Sequence, residues 1–358
     1  MTVNAPTQAI DEAKLMAFMG KIIADFGALA SSALVIVGDK LGLYRARAGA
    51  GPLTPAELAG RTSTSERYVR EWLFNQAAGG YVEYDPLTDR YNLPPEHALA
   101  LAVEGSLANI VGGFQLFTGM IKAEPRITQA FRTGEGVPWG EHDQDLFVGT
   151  ERFFRTGYAA NLVSSWIPAL EGVEATLKAG AKVADVGCGY GASTIIMARA
   201  YPRSRFYGFD FHAPSIARAR QSAADAGVAE RVTFEVATAN DYPGTGYDVV
   251  AYFDAFHDLG DPDGAARHAS DSLAPGGTVL LVEPMAGESV AENLNPVGRI
   301  FSAGSTFICT PNALATGGHA LGNSASEKQL RAVMLAGGFS RFCRATQTPF
   351  NRIFEVKR

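Results

Sequence analysis

A chain of 358 residues, 47% hydrophobic and carrying a formal net charge of −6, is long enough for two ordinary domains with a large core. The acidic balance makes nucleic acid and an anionic membrane surface poor partners. Three cysteines far apart, Cys188, Cys309 and Cys343, exclude a disulfide framework and suit a reducing compartment.

The amino terminus has no basic region ahead of an apolar one, so no export signal is expected and the cytoplasm is the expected location. The longest apolar stretch, FGALASSALVIVG from Phe26 to Gly38, is shorter than a membrane span and is flanked by Asp25 and Asp39. It predicts a buried helix. The helix as a whole, residues 21–44, is expected to pack a homodimer interface, because an apolar face must be covered.

From Pro52 the chain reads GPLTPAELAGRTSTSERYVREWLFNQAAGGYVEYDPLTDRYNLP. Thr54 with Glu57 three positions on predicts a capped helix, and Ser65 opens a second after a tight turn. YVEY and RYNL bracket DPLTD as a hairpin. Helix, turn, helix and hairpin make a winged helix within a first domain at 1–105. Such a module invites a DNA-binding reading, with the chain as a regulator that senses a cofactor. Residues 1–106 hold nine lysines and arginines against twelve acids, and the would-be recognition helix balances Arg67 and Arg70 with Glu66 and Glu71. Phosphate neutralisation needs a basic surplus, so DNA is not the expected partner.

Residues 106–170 predict a helical connector broken at Gly134, Gly136 and Pro138. Trp139 and His142 fall in that break, where they either line a substrate pocket or serve as loop packing.

The segment VADVGCGYGAST, residues 183–194, runs from an apolar strand into Gly187, Gly189 and Gly191. Such glycines let the backbone approach a ligand closely. A phosphate-cradling loop would need a Lys-Ser or Lys-Thr pair where Ala192 and Ser193 stand. A dinucleotide site is nominally matched by Gly187, Gly189 and Ala192, but Asp185 would sit close to the pyrophosphate with no basic residue in the loop to offset it. S-adenosylmethionine, which has no phosphate and carries a sulfonium and an amino group, fits the acid better. SRFYGFD then ends a second strand on Asp210, placed to accept from two ribose hydroxyls.

Strand patterns near 182–186, 205–210, 231–236, 247–253 and 278–283 alternate with helices, and two terminal strands, FSRFCRAT and PFNRIFEVK, follow a helix near 326–337. The expectation for 171–358 is α/β: a doubly wound, seven-stranded, Rossmann-like parallel sheet whose last strand is antiparallel.

DVGCGYG with Asp210, YDVVAYFDAFHDL, LAPGGTVLLVE and the terminal hairpin resemble the class I S-adenosylmethionine-dependent methyltransferases over roughly residues 170–358. With the winged helix in front, the chain is similar to small-molecule O-methyltransferases, whose winged helix dimerises, and more closely to a mycobacterial group of winged-helix methyltransferases. That resemblance implies a small-molecule methyl acceptor, a hydroxyl first, with nitrogen, sulfur and carbon open, and S-adenosylhomocysteine as product. No metal is expected. It implies that Gly187, Gly189 and Gly191 shape the loop, Asp185 faces the amino group, Asp210 holds the ribose, Phe211 lies beside the adenine and Phe253 under the methionine. The family's adenine-reading acid falls at Thr238, so Asp241 or the Ala239 backbone takes that part. His257 matches the family's general base and Glu283 the acid that orients it. A second flanking acid would fall near Ser324, which cannot play that part, and Asp258 reads as a cap for the following turn. Residues 287–323 form an insertion expected to act as a lid or substrate wall.

Overall fold

The computed structural model describes residues 10–318 and 320–358, so the expectation about an export signal, which rests partly on residues 1–9, lies outside them. Two compact units divide the chain between Thr118 and Gly119.

In the first unit, α1 (Glu12–Lys40) starts beneath Asp11, whose carboxylate accepts from Lys14 N. α2 (Pro55–Thr62) opens with the expected capping box, Thr54 and Glu57 each bonding the other's backbone N–H. A left-handed Ser63 turns the chain into α3 (Glu66–Ala78), and β1 (Glu83–Asp85) pairs antiparallel with β2 (Arg90–Asn92) as the wing. α4 (Pro95–Leu101) follows, and α5 (Val111–Ile121) carries the chain across the boundary between the units. Leu43, Leu58, Val69, Trp72, Leu73 and Tyr91 form the core of this winged helix. On α3, Arg70 bonds Glu66 at 2.7 Å and Arg67 bonds Glu71, so each arginine has an acid one turn away.

α1 differs from its expectation. Only Val35, Ile36 and Gly38 are buried, whereas Met16, Phe18, Ile23, Phe26 and Leu29 are exposed. The apolar stretch fills most of the C-terminal half of a 29-residue helix of which only the last turns reach the winged-helix core. By length and composition this helix could cross a membrane, although Lys21 and Asp25 pair on it at 2.7 Å.

The second unit continues with α6 (Glu124–Thr133), α7 (Gln144–Asn161) and α8 (Val173–Ala179). The sheet segment follows as β3 (Lys182–Val186), α9 (Ala192–Ala200), β4 (Arg205–Asp210), α10 (Ala213–Asp225), β5 (Val232–Val236) and β6 (Tyr247–Phe253). It closes with α11 (Pro262–Ser272), β7 (Leu273–Pro284), α12 (Pro296–Gly304), α13 (Thr310–Ala315), α14 (Glu327–Ala336), β8 (Arg341–Gln347) and β9 (Asn351–Lys357).

The seven strands lie in the order β5-β4-β3-β6-β7-β9-β8; β9 runs antiparallel to β7 and β8, and the other pairs are parallel. Alternate side chains serve opposite faces. Val183, Val249, Ala251 and Phe253 pack against α8, α9 and α10, while Ala184, Val186, Val250 and Tyr252 pack against α11 and α14. Burial on both faces is why these strands read as continuous apolar runs.

Candidate active site

Strand order reverses at β3, which pairs with β4 on one side and β6 on the other. Loops leaving the carboxyl ends of those strands diverge there and open a crevice, the usual ligand site of an open α/β sheet. The glycine loop leaves β3 at this point. Gly187 and Gly191 have φ of 75° and 81°, and a Cβ on them would come within 2.6 Å of Ala255 and 2.5 Å of Phe234. Only glycine fits those positions. A Cβ on Gly189 would meet nothing within 4 Å, so the loop faces open space at its centre.

Asp185, the last acid of β3, is fully buried. Its Oδ2 accepts from the hydroxyls of Ser193 and Thr194, each at 2.6 Å, and its Oδ1 is buried without a hydrogen-bond partner. Burial pushes its pKa up to about 6 against the pull of those two hydroxyls. A buried carboxylate oxygen left unpaired is costly and calls for a donor, which the amino group of S-adenosylmethionine would supply. Asp210 ends β4 with Oδ2 accepting from Gly189 N at 2.9 Å and Oδ1 from His212 N at 2.8 Å. It braces the glycine loop, and each oxygen retains a lone pair for a ribose hydroxyl. Phe211, beside it, is 45% exposed; an apolar ring so placed can cover an adenine face. The carboxylate of Asp241 takes the N–H and the hydroxyl of Thr238 at 2.9 and 2.6 Å, closing its own loop, with Ala239 buried between them. The residues present fit S-adenosylmethionine.

His257 stands in a short helical turn after β6 and is buried. Its Nδ1 lies 2.8 Å from Glu283 Oε2 and its Nε2 3.0 Å from Asp258 Oδ1, the second contact lacking the alignment of a hydrogen bond. Burial by itself lowers the pKa of this ring, but the carboxylates of Asp258 and Glu283 outweigh it and hold the pKa well above the ordinary imidazole value. Asp258 is therefore a flank of the imidazole. The cap expected of it belongs to Asp261, which accepts from Gly264 N at 2.8 Å and starts α11. The family resemblance puts the second flanking acid near Ser324, a serine, yet the acid adjacent to His257 in sequence is the one that reaches the ring.

The insertion is tied down over this turn. Asn312 Nδ2 donates to Asp258 O, and Gly322 N donates to His257 O. Asn312 Oδ1 also accepts from Trp139 N, so the break in the connector joins the same wall. The Trp139 ring lies 5.1 Å from Phe147, itself 5.1 Å from His212. His142 is buried, has no hydrogen-bond partner for either ring nitrogen, and has its pKa lowered chiefly by burial.

The sequence reading passed over Asp254. It follows Phe253 directly, at a left-handed φ of 50° that non-glycine residues seldom adopt. Tyr158 Oη donates to its Oδ2 at 2.9 Å and Asn351 Nδ2 to its Oδ1 at 2.7 Å. Burial, reinforced by repulsion from Glu283, pushes its pKa up to about 7. An acid ending an apolar strand was the available signal. Phe253 is buried against Tyr158, ring centres 5.5 Å apart.

Residues 177–329 match the family model of a methyltransferase domain, and residues 29–103 that of an Rv2258c-like winged HTH domain. The 27-O-demethylrifamycin SV methyltransferase of Amycolatopsis mediterranei strain S699 is 36% identical over 131 residues, covering 34% of this chain and 48% of that enzyme. The chain spans less than half the length of the curated relatives it matches. Among solved structures, the mitomycin 7-O-methyltransferase superposes with a TM-score of 0.71 at 18% identity, covering 97% of this chain and 100% of that one. Human N-acetylserotonin methyltransferase, in complex with S-adenosylmethionine, gives 0.72 at 15% identity over 99% of each chain. At such identities the likeness is one of fold.

Proposed function

Because a methyltransferase domain stands behind a winged helix-turn-helix domain in this chain, we propose that it is a class I S-adenosylmethionine-dependent methyltransferase, that it methylates a hydroxyl oxygen of a small molecule and that His257 receives the hydroxyl's proton. The observation that carries this reading is the buried Glu283–His257–Asp258 cluster, one turn past β6 and beneath the insertion. Relatives named for O-methylation of small molecules support the acceptor class.

When bound, S-adenosylmethionine supplies an activated methyl group on a sulfonium. Asp185 and Asp210 hold its polar ends, and Phe211 and Phe253 offer it apolar surfaces. Glu283 accepts from Nδ1 of His257 and so leaves Nε2 as the atom that exchanges a proton with the acceptor. With its pKa raised by the two carboxylates, the ring keeps its second proton to higher pH than a free imidazole does. It therefore accepts one from substrate only after losing its own to solvent, and transfer to a neutral hydroxyl should rise toward alkaline pH. Holding the acceptor in line beneath the insertion supplies most of the remaining acceleration.

The protein acts as a homodimer in a reducing compartment, the cytoplasm. The uncovered apolar face of α1 supports the dimer, and the three free thiols support the compartment. The regulator reading has no basic surplus behind it, and a gel shift at physiological salt tests it. For the main reading, S-adenosylhomocysteine should raise the melting temperature and NADH should not. A screen of small hydroxylated acceptors with labelled cofactor should then give a labelled ether. Preference for NADH, or label appearing only on nitrogen, sulfur or carbon, would overturn the assignment.

A further inference from the structure

Three potential metal-ligating atoms from two distant parts of the chain converge beside His257: its own Nε2, a carboxylate oxygen of Asp258 and Sγ of Cys309, all within 4.8 Å of one another. Cys309 and His257 are buried, and Asp258 is largely shielded. We propose that these three side chains form a site for a soft divalent cation of the zinc class.

Four features of the cluster support this. First, Glu283 already holds Nδ1 at 2.8 Å, the carboxylate–histidine arrangement that fixes the tautomer and aims the other nitrogen of a metal-binding imidazole. Second, Asp258 Oδ1 lies at 3.0 Å from Nε2 without the alignment of a hydrogen bond; a cation between the two atoms would engage both. Third, bond lengths to zinc put neighbouring ligand atoms of a tetrahedral site roughly 3.4 to 3.6 Å apart, so this trio needs only small side-chain rotations to close on an ion. Fourth, Cys309 ends a π-helical turn, Ser305–Cys309, inside the insertion that Asn312 and Gly322 tie to the His257 turn. Turns of that kind are frequent at functional sites.

Thiolate, imidazole and a single carboxylate select zinc, cobalt or cadmium over magnesium or calcium, which prefer all-oxygen shells. On binding, the Cys309 S–H bond breaks, its proton leaves to solvent, and sulfur donates a lone pair to the cation. Any proton on Nε2 is displaced to solvent as well, and no electron changes hands. Two anionic ligands neutralise the dication, and the fourth position of a tetrahedron remains open for water or an acceptor atom. The cation and the acceptor's proton draw on the same Nε2 lone pair, so the loaded protein should not use His257 as a base.

The test is a titration of the whole chain, stripped with chelator, with cobalt(II). A near-ultraviolet thiolate-to-metal band should grow to one equivalent and be displaced by zinc. Cys343→Ser, at an exposed cysteine, should keep the band. Cys309→Ser should lose it while still binding S-adenosylhomocysteine, which reports an intact fold. Should Cys309→Ser fail to fold, Asp258→Asn serves in its place and should weaken cobalt by at least about tenfold, the lower end of the effect of losing even an outer-shell partner. No band in the wild type, a band untouched in folded Cys309→Ser, or unchanged affinity in Asp258→Asn would each overturn the proposal. The readout needs no turnover, so it stands or falls separately from the methyl-transfer reading.

Discussion

Asp210→Ala removes, in one step, the acceptor of two backbone donors, Gly189 N at 2.9 Å and His212 N at 2.8 Å. Hydrogen bonds to a charged group contribute about 1.5 to 3 kcal/mol each, and donors left without a partner cost about 1 to 3 kcal/mol. Water reaches the end of β4 in part, because Asp210 is only half-buried, which favours the lower part of that range. A loss of about 1 to 3 kcal/mol in a unit of this size lowers the melting temperature by roughly 2 to 12 °C. The ligand loses more. Two ribose hydroxyls would forfeit their charged acceptor, and even the lower figure for two such bonds, about 3 kcal/mol, is about a hundredfold in affinity. Calorimetric titration with S-adenosylhomocysteine, run beside a melting curve, reads both quantities. Affinity that stays within a factor of about three in a folded variant would refute the reasoning, since the acid ending β4 would then not meet the ligand.

His257→Gln should leave S-adenosylhomocysteine affinity nearly unchanged and slow transfer to a neutral hydroxyl by roughly 10² to 10⁴, with thiols or acidic phenols suffering less; equal losses for every acceptor in kinetic assays would make the ring structural. Asp254, pushed up to about 7, keeps its proton in the folded chain where the unfolded chain, with a pKa of about 3.9, has lost it. Unfolding then releases a proton, so stability falls as pH rises from about 4 to about 7; Asp254→Asn, which suits the left-handed backbone, should flatten that fall in melting curves across the window. An unchanged slope would place the titration elsewhere. Phe26→Glu, on the exposed face of α1, should convert a dimer to monomer in sedimentation, and a dimer unaltered by it would exclude this face as the contact.

Local chemistry wrote much of this protein directly into its sequence. The Thr54–Glu57 box, the wing hairpin, the glycine loop after β3 and the seven strands each depend on residues close together along the chain. Continuous apolar runs and positive-φ glycines leave a pattern that needs no partner from afar. Asp185 and Asp210 were legible from the strands they end, and His257 and Glu283 from the family resemblance; all four stand at the carboxyl edge of the parallel strands, where ligands of such sheets bind. Tertiary structure decided what those side chains face. It gave Asp258 to the imidazole and the cap to Asp261, exposed a helix whose composition reads as core, and brought Cys309 from a small-residue insertion onto His257. Each of these depends on which distant segment occupies the space beside a residue. Composition and spacing state what a side chain can do, but its charge, protonation and partners are set by neighbours that only the folded chain supplies.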